Sequence, residues 1–295
     1  MQSERGRDFY IVDVFAEGKY SGNQLAVFPE ASGLSEKEMR SLALEMHFSE
    51  TAFVVSPDQR DGGYDVRIFT PTEEVPFAGH PTLGTAYVIN HFLAPEPARE
   101  IVLNLKVGQI PVTWDPETQY LWMRQHPPIF GESIAPERMA QILDIPESEI
   151  DSRYPIQVVS TGLPFIITPL MSLEAVKLAG LNRKYYPDQL AGVETKAILL
   201  FAPEVEQLDN HLHVRVFAEY YGVSEDPATG SANGCLAGYL ALHRYFGAPE
   251  INTRVEQGYE IHRPSLVLIQ TEEENDTISV SVGGRVLPVA VGRLY

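Results

Sequence analysis

Four short stretches of this chain carry side chains that can move or hold a proton. Glu50 stands in Ser49-Glu50-Thr51-Ala52-Phe53-Val54-Val55, at the mouth of an apolar strand pattern. A carboxylate against that much apolar surface is expected to have its proton affinity raised by desolvation. A general base or acid for a carbon-bound proton needs that shift near neutral pH. A solvated glutamate is the plainer use of the same residue. Glu194, in Glu194-Thr195-Lys196-Ala197-Ile198-Leu199-Leu200, has nearly the same setting, so local sequence leaves the two glutamates equal. His80 lies in the apolar stretch Pro76-Phe77-Ala78-Gly79-His80 and can act as proton shuttle, substrate donor or buried cap. Asp226, in Glu225-Asp226-Pro227-Ala228-Thr229-Gly230, can orient a ligand amine or His80, or can simply form an Asx turn ahead of proline.

The histidine and the aspartate each precede a helix start. Gly79-His80-Pro81-Thr82 leads into Leu83, Ala86 and Tyr87, apolar at helical spacing, and Pro81 fits a first turn, where a missing N–H costs nothing. Gly230-Ser231 leads into Leu236, Tyr239, Leu240 and His243, again at helical spacing. Asn233-Gly234 in isolation is a hairpin signal, but the spacing after it favours helix. A glycine loop opening a helix presents unpaired N–H groups and the positive end of the helix dipole. Two such ends, one per lobe, are expected to hold a carboxylate substrate between them, with Gly79, His80, Asp226, Gly230 and Ser231 as the binding set. Capping of two core helices is the common alternative use of these residue types.

Other chemistries find less support. His211 and His213 alternate with Leu212 and share a strand face, but no third ligand stands at a recognised spacing, so no metal site is expected. Ser231 is not in a nucleophile elbow, because Thr229 occupies the position where that motif needs glycine. Neither a phosphate-binding loop nor a dinucleotide fingerprint is present. Cys235 is the only cysteine, which excludes an internal disulfide and a two-cysteine proton relay, and fits a reducing compartment.

The elements that must position these residues occur twice. A strand pattern leads to Ser21-Gly22-Asn23 and a second strand in 9–29; another leads to Thr161-Gly162 and Phe165-Ile166-Ile167 in 154–169. Leu34-Ser35 opens a helix with Ser35 and Glu38 in capping-box spacing, and its later partner is expected near Leu181. Then come Glu50 and Glu194, Arg67 and Arg215, Gly79 and Gly230. The offsets of these five pairs, from Gly22 to Gly162 onward, are 140, 147, 144, 148 and 151. A common order with a drifting offset marks an internal duplication. Two similar lobes follow: 1–128, to which 279–295 returns, and 129–278, joined near His126-Pro127-Pro128. Helices are expected over 36–47, 80–91, 136–144, 173–180 and 231–246. Turns at Gly62-Gly63, Glu274-Asn275-Asp276 and Gly283-Gly284 imply antiparallel hairpins. Regular strand–helix–strand alternation is missing, so the fold class is α+β.

The 295 residues carry a net charge of −18, which argues against nucleic acid and anionic membranes as partners. Residues 1–8 are polar with no apolar signal core after them, and no stretch spans a bilayer, which points to a soluble cytoplasmic protein.

Ser21-Gly22-Asn23, Ser49-Glu50-Thr51-Ala52-Phe53, Pro76-Phe77-Ala78-Gly79-His80-Pro81-Thr82 and Glu225-Asp226-Pro227-Ala228-Thr229-Gly230-Ser231-Ala232 together resemble the PhzF family of phenazine-biosynthesis proteins. The resemblance runs along essentially the whole chain. It implies the diaminopimelate-epimerase fold, two pseudo-symmetric lobes with sheet wrapped around a central helix. It also implies a homodimer and a cofactor-free isomerase acting on a small anionic acid of the trans-2,3-dihydro-3-hydroxyanthranilate type. Carried over motif by motif, Glu50 is the proton carrier; His80, Asp226 and Ser231 orient the substrate; Gly79 and Gly230 supply N–H groups. Gln24 departs from the family pattern, which often has proline there. A racemase or epimerase of another small acid, and a ligand-binding protein on the same fold, are the competing readings.

Overall fold

A computed structural model describes residues 6–56, 58–274 and 277–295. The turn expected at Glu274-Asn275-Asp276 and most of the polar start read over 1–8 lie outside the described residues. The chain forms two compact units, 1–124 with 283–295, and 125–282.

In the first unit, β1 (Arg7–Val14) pairs antiparallel with β2 (Asn23–Phe28), β2 pairs parallel with β3 (Thr51–Val54), and β3 pairs antiparallel with β4 (Tyr64–Phe69). β4 pairs antiparallel with β5 (Glu74–Val75) and parallel with β6 (Glu100–Leu105); β7 (Gly108–Trp114) and β8 (Leu121–Arg124) continue antiparallel. The last strand, Val286–Leu294, lies antiparallel along β1.

The second unit repeats this order. After β9 (Ile129–Ile134), β10 (Ile156–Ser160) pairs antiparallel with β11 (Pro164–Pro169), which pairs parallel with β12 (Ile198–Ala202). β12 pairs antiparallel with β13 (Leu212–Ala218). β13 then pairs antiparallel with β14 (Val223–Asp226) and parallel with β15 (Ile251–Gln257), which pairs antiparallel with β16 (Ser265–Glu274). β17 (Thr277–Gly284) follows. The duplication read from sequence is therefore a duplication of strand pairing, with β1 to β7 matching β10 to β16. The sheets are mixed rather than purely antiparallel. A helix intervenes between β2 and β3, and another between β11 and β12, and such a crossover returns the chain parallel.

Those two helices are α1 (Glu36–Met46) and, later in the chain, α4 (Leu173–Leu178). The Ser35 hydroxyl accepts from the Glu38 N–H, and the Glu38 carboxylate accepts from the Ser35 N–H in return; Ser172 accepts from the Ala175 N–H. The repeat partner of α1 thus starts at Leu173, not near Leu181, which lies in the loop after α4. Against α1 the sheet packs Phe28, Phe53 and Phe69, with Phe28 and Phe53 stacked at 5.1 Å and Phe69 edge-on to Phe53 at 5.6 Å. The second unit packs Val158, Ile166, Ile198 and Leu200 with α3 (Pro136–Leu143) and α4.

Each unit also holds a helix buried along almost its whole length. α2 (Gly79–Val88) runs on into a π-helical turn, Ile89–Leu93, and the second unit holds α5 (Gly230–Leu242). Helices apolar on every face belong inside a fold. Gly84 of α2 lies so near Val12, Val14 and Leu25 that a Cβ there would come within 2.5 Å of the Leu25 side chain. Gly283 and Gly284 lie within β17, not in a hairpin turn. The bare backbone of Gly283 admits the Trp122 ring, which a Cβ would meet at 2.4 Å. Among the described residues no helix is long and apolar enough to cross a membrane.

Candidate active site

Glu50, Gly79 and His80 belong to the first unit. Glu50 immediately precedes β3, whose four residues are all buried, and its side chain is 21% exposed. His80 is the second residue of α2 and is 4% exposed. The Nε2 of His80 lies 3.6 Å from Glu50 Oε2, too long for a hydrogen bond but close enough for one to form on a small shift. Burial strips the imidazole of water and drives its pKa down to about 3, opposed only by a hydrogen bond to the Gln24 backbone. That bond favours the charged ring, so the ring donates an N–H to the Gln24 carbonyl. Nε2 itself finds no hydrogen-bond partner among the described residues, which makes Nδ1 the donor and leaves Nε2 a bare acceptor turned toward Glu50. The ring is therefore neutral at working pH and fixed in one tautomer. Nitrogen NMR of the ring is expected to show the neutral Nδ1–H form unchanged from about pH 5 to 8; a titration inside that range would contradict the arrangement.

The register of the strands separates the two glutamates that sequence left equal. Thr51 pairs with Ala26 and Phe69; Ile198 pairs with Ile166 and Phe217. Thr51 and Ile198 thus hold matching places, and the residue before Ile198 is Ala197, which is buried. Glu194 is exposed, in the turn ahead of β12. The second unit has an alanine where the first has Glu50.

Asp226, Gly230 and Ser231 belong to the second unit. Asp226 ends β14 and is buried, and the Thr229 hydroxyl donates to its Oδ2 at 2.5 Å. Next to it, Glu225 takes a two-pronged contact from Arg215, whose remaining nitrogen donates to the carbonyls of Val176 and Ala179 at the end of α4. In the first unit Arg67 grips Glu74 of β5 in the same way and holds that carboxyl below the usual carboxylate range. In each unit an arginine thus braces the short strand that leads to the buried helix.

Neither buried helix starts with a side-chain cap. The residues before them, Ala78 and Thr229, are extended and make no capping bond. The first backbone turns close at Thr82 N–H to the Ala78 carbonyl and Asn233 N–H to the Thr229 carbonyl. The N–H groups of Gly79 and His80, and of Gly230, Ser231 and Ala232, come ahead of those bonds, so neither helix start spends them on an intrahelical bond. Ser231 lies inside the first turn and is 6% exposed, not at the capping position.

Two polar residues to which the sequence gave no role touch the same segment. Gln125 donates to the Gly230 carbonyl and accepts from Thr161; Gln257 donates to the Asp226 carbonyl. The one signal for Gln257 was a polar pair, Glu256-Gln257, ending an otherwise alternating strand. Cys235 is buried with its thiol pushed up to about 11 by desolvation, so it is no nucleophile. His211 accepts from the Arg254 N–H, while His213 is taken up by Glu256 and Glu260; the two histidines do not form a pair.

A family model described as phenazine biosynthesis-like protein, PhzC-PhzF, matches residues 12–292. A trans-2,3-dihydro-3-hydroxyanthranilate isomerase of Pseudomonas aeruginosa is 33% identical over 97% of this chain and 99% of its own length. An uncharacterised isomerase of Pasteurella multocida is 34% identical over 97% of this chain and 93% of its own. Among solved structures, a PhzF-family phenazine biosynthesis protein of Bacillus anthracis superposes with a TM-score of 0.91 at 26% identity, covering 99% of both chains. A hydroxyproline epimerase of Agrobacterium vitis superposes with a TM-score of 0.61 at 10% identity, over 100% of this chain and 94% of its own, and shares the fold alone.

Proposed function

The chain belongs to the phenazine biosynthesis-like PhzC-PhzF family of isomerases, and from that premise we propose that it moves a proton on a small cyclic carboxylic acid of the trans-2,3-dihydro-3-hydroxyanthranilate type, without a cofactor, with Glu50 as the proton carrier. The observation that carries the reading is the Glu50 carboxylate 3.6 Å from a neutral imidazole whose acceptor nitrogen faces it. The Glu50 carboxylate takes a proton from a substrate carbon, and the electron pair of the broken C–H bond moves into the conjugated system of the acid. Protonated Glu50 then has Nε2 of His80 as a ready acceptor, which stabilises the state after abstraction. The carboxyl proton of the part-exposed Glu50 exchanges with solvent, and its delivery to a different carbon completes the isomerisation and restores the carboxylate. His80, Asp226 and Ser231, with the N–H groups of Gly79 and Gly230, bind and orient the acid. Preorganised donors of that kind stabilise developing negative charge by roughly 2.7–4 kcal/mol each in other enzymes.

A racemase or epimerase needs a second acid or base on the opposite face of the substrate; Ala197 stands at the position equivalent to Glu50, which leaves that part to His80 or Asp226. The homodimer and the cytoplasmic location expected from sequence go with the isomerase reading.

Proton NMR in deuterated water with trans-2,3-dihydro-3-hydroxyanthranilate tests it. Isomerisation with deuterium entering at the new C–H position is the expected result. An unchanged spectrum overturns the substrate, and product in which only the configuration at the original carbon is exchanged overturns isomerase in favour of epimerase.

A further inference from the structure

We propose that Gln257 is the positioning residue of the loop that carries Asp226 and opens α5, which extends the isomerase reading and rests on the role given there to Asp226 and Ser231. Gln257 is the last residue of β15 and is fully buried. Its Nε2 donates to the Asp226 carbonyl at 2.7 Å and to the Thr229 hydroxyl at 3.1 Å. Its Oε1 accepts from the Thr229 N–H at 3.2 Å and from Asn233 Nδ2 at 2.9 Å. A primary amide has two donor hydrogens and two acceptor lone pairs, and here all four are spent on one segment. Asn233, one turn into α5, also donates to the Thr229 carbonyl at 3.0 Å, so the same contacts tie the loop to the helix.

The loop needs such a clamp. β14 ends at Asp226, and Pro227 has no N–H with which to continue a ladder. The side-chain amide of Gln257 takes the place of the missing strand neighbour, bonding to the chain on both sides of Pro227-Ala228. The backbone after it is fitted to the same task. Gly258 has φ +81, and a Cβ there would come within 2.5 Å of the Pro227 carbonyl oxygen, so only glycine lets the end of β15 approach the loop this closely. Through these contacts Gln257 sets where the Asp226 carboxylate lies, without itself being placed against the substrate.

The test is a double-mutant cycle with Gln257→Glu and Asp226→Ala. Glutamate keeps the shape and both acceptor contacts of Oε1, but its second oxygen cannot donate to Asp226 or Thr229. If Gln257 acts through Asp226, Gln257→Glu raises KM for trans-2,3-dihydro-3-hydroxyanthranilate by about 10- to 100-fold, the loss expected for stranded buried hydrogen-bonding groups. It then adds no further loss in the Asp226→Ala background. Losses that multiply in the double variant, or a KM within twofold of wild type with only the melting temperature lowered, overturn the proposal. Should Gln257→Glu not fold, Thr229→Val removes, from a half-buried position, the hydroxyl through which Gln257 Nε2 reaches Asp226 Oδ2, and must raise KM by itself; an unchanged KM overturns the proposal equally. Turnover by the wild type separates the two claims. A silent wild type overturns the substrate reading, and Gln257 is then judged by hydrogen exchange. There, exchange at the Thr229 amide in Gln257→Met, which lacks the Oε1 acceptor of that N–H, must quicken by about 10-fold or more while amides of β16 keep their rates, and equal exchange at Thr229 overturns the proposal.

Discussion

Replacing Glu50 by glutamine is expected to cut turnover of the dihydro-hydroxyanthranilate by about 10²–10⁴-fold, the range for loss of a positioned general base, while folding and ligand affinity survive. Glutamine keeps the volume at the mouth of β3 and can still hydrogen-bond, but it cannot take a proton. Glu50 is partly exposed, so the change strands no deeply buried charge. Deuterium incorporation should disappear together with turnover, since a single carboxylate is assigned both abstraction and return. A rate within tenfold of wild type would remove Glu50 from the mechanism. Glu194→Gln is the matched control and is expected to leave the rate unchanged, because that side chain is exposed and stands three residues before Ala197, the true counterpart of Glu50.

The largest effect on stability is expected at Glu256, away from the proposed chemistry. His213 in β13 is fully buried, with Nδ1 2.7 Å from Glu256 and Nε2 2.8 Å from Glu260. Burial alone would push the imidazole down, but the hydrogen bonds to Glu256 and then Glu260 outweigh it and hold the ring up at about 9. Burial would likewise raise Glu256, yet His213, Asn210 and the N–H groups of Glu206 and Gln207 hold it below the usual carboxylate range. A histidine whose folded pKa lies above its unfolded value contributes stability that is complete below about pH 6.5 and is lost as pH rises through about 9. The carboxylate adds the acid limb, with stability present above its unfolded value and lost as pH falls through its lowered folded one. The shift of His213 corresponds to ~3 kcal/mol. Glu256→Ala is expected to cost about 3–5 kcal/mol, the range for breaking a buried pair. It also frees the segment at Glu206 and Gln207 from β15. Urea unfolding from pH 5 to 10 checks both points, with Glu256→Gln as the comparison that should lose most of the alkaline decline. Identical pH profiles for wild type and Glu256→Gln would show that His213 is not charged in the folded protein.

Much of this protein was set by local pattern. Small and apolar residues at helical spacing after Gly79 and Gly230 determined two buried helices, and they overrode the hairpin signal of Asn233-Gly234 because twelve of the thirteen residues of α5 are buried. Ser35 and Glu38 determined the start of α1 by satisfying its free N–H groups themselves. The order of strand patterns determined a duplicated α+β fold, since strand pairing depends on periodicity that is visible residue by residue. What sequence left open depended on register and on groups distant along the chain. Glu50 and Glu194 sit in similar words, and only the pairing of Thr51 with Phe69 and of Ile198 with Phe217 showed that Glu194 is displaced into a loop. His80 reads as a possible acid or base; its fixed neutral tautomer comes from burial and from a Gln24 carbonyl 56 positions earlier in the chain. Gln257 is 31 residues from Asp226, and His213 is 43 from Glu256. Spacing in sequence reports which face of an element a residue occupies, whereas proton affinity, hydrogen-bond satisfaction and loop position are set by neighbours that only the tertiary fold brings within 3 Å.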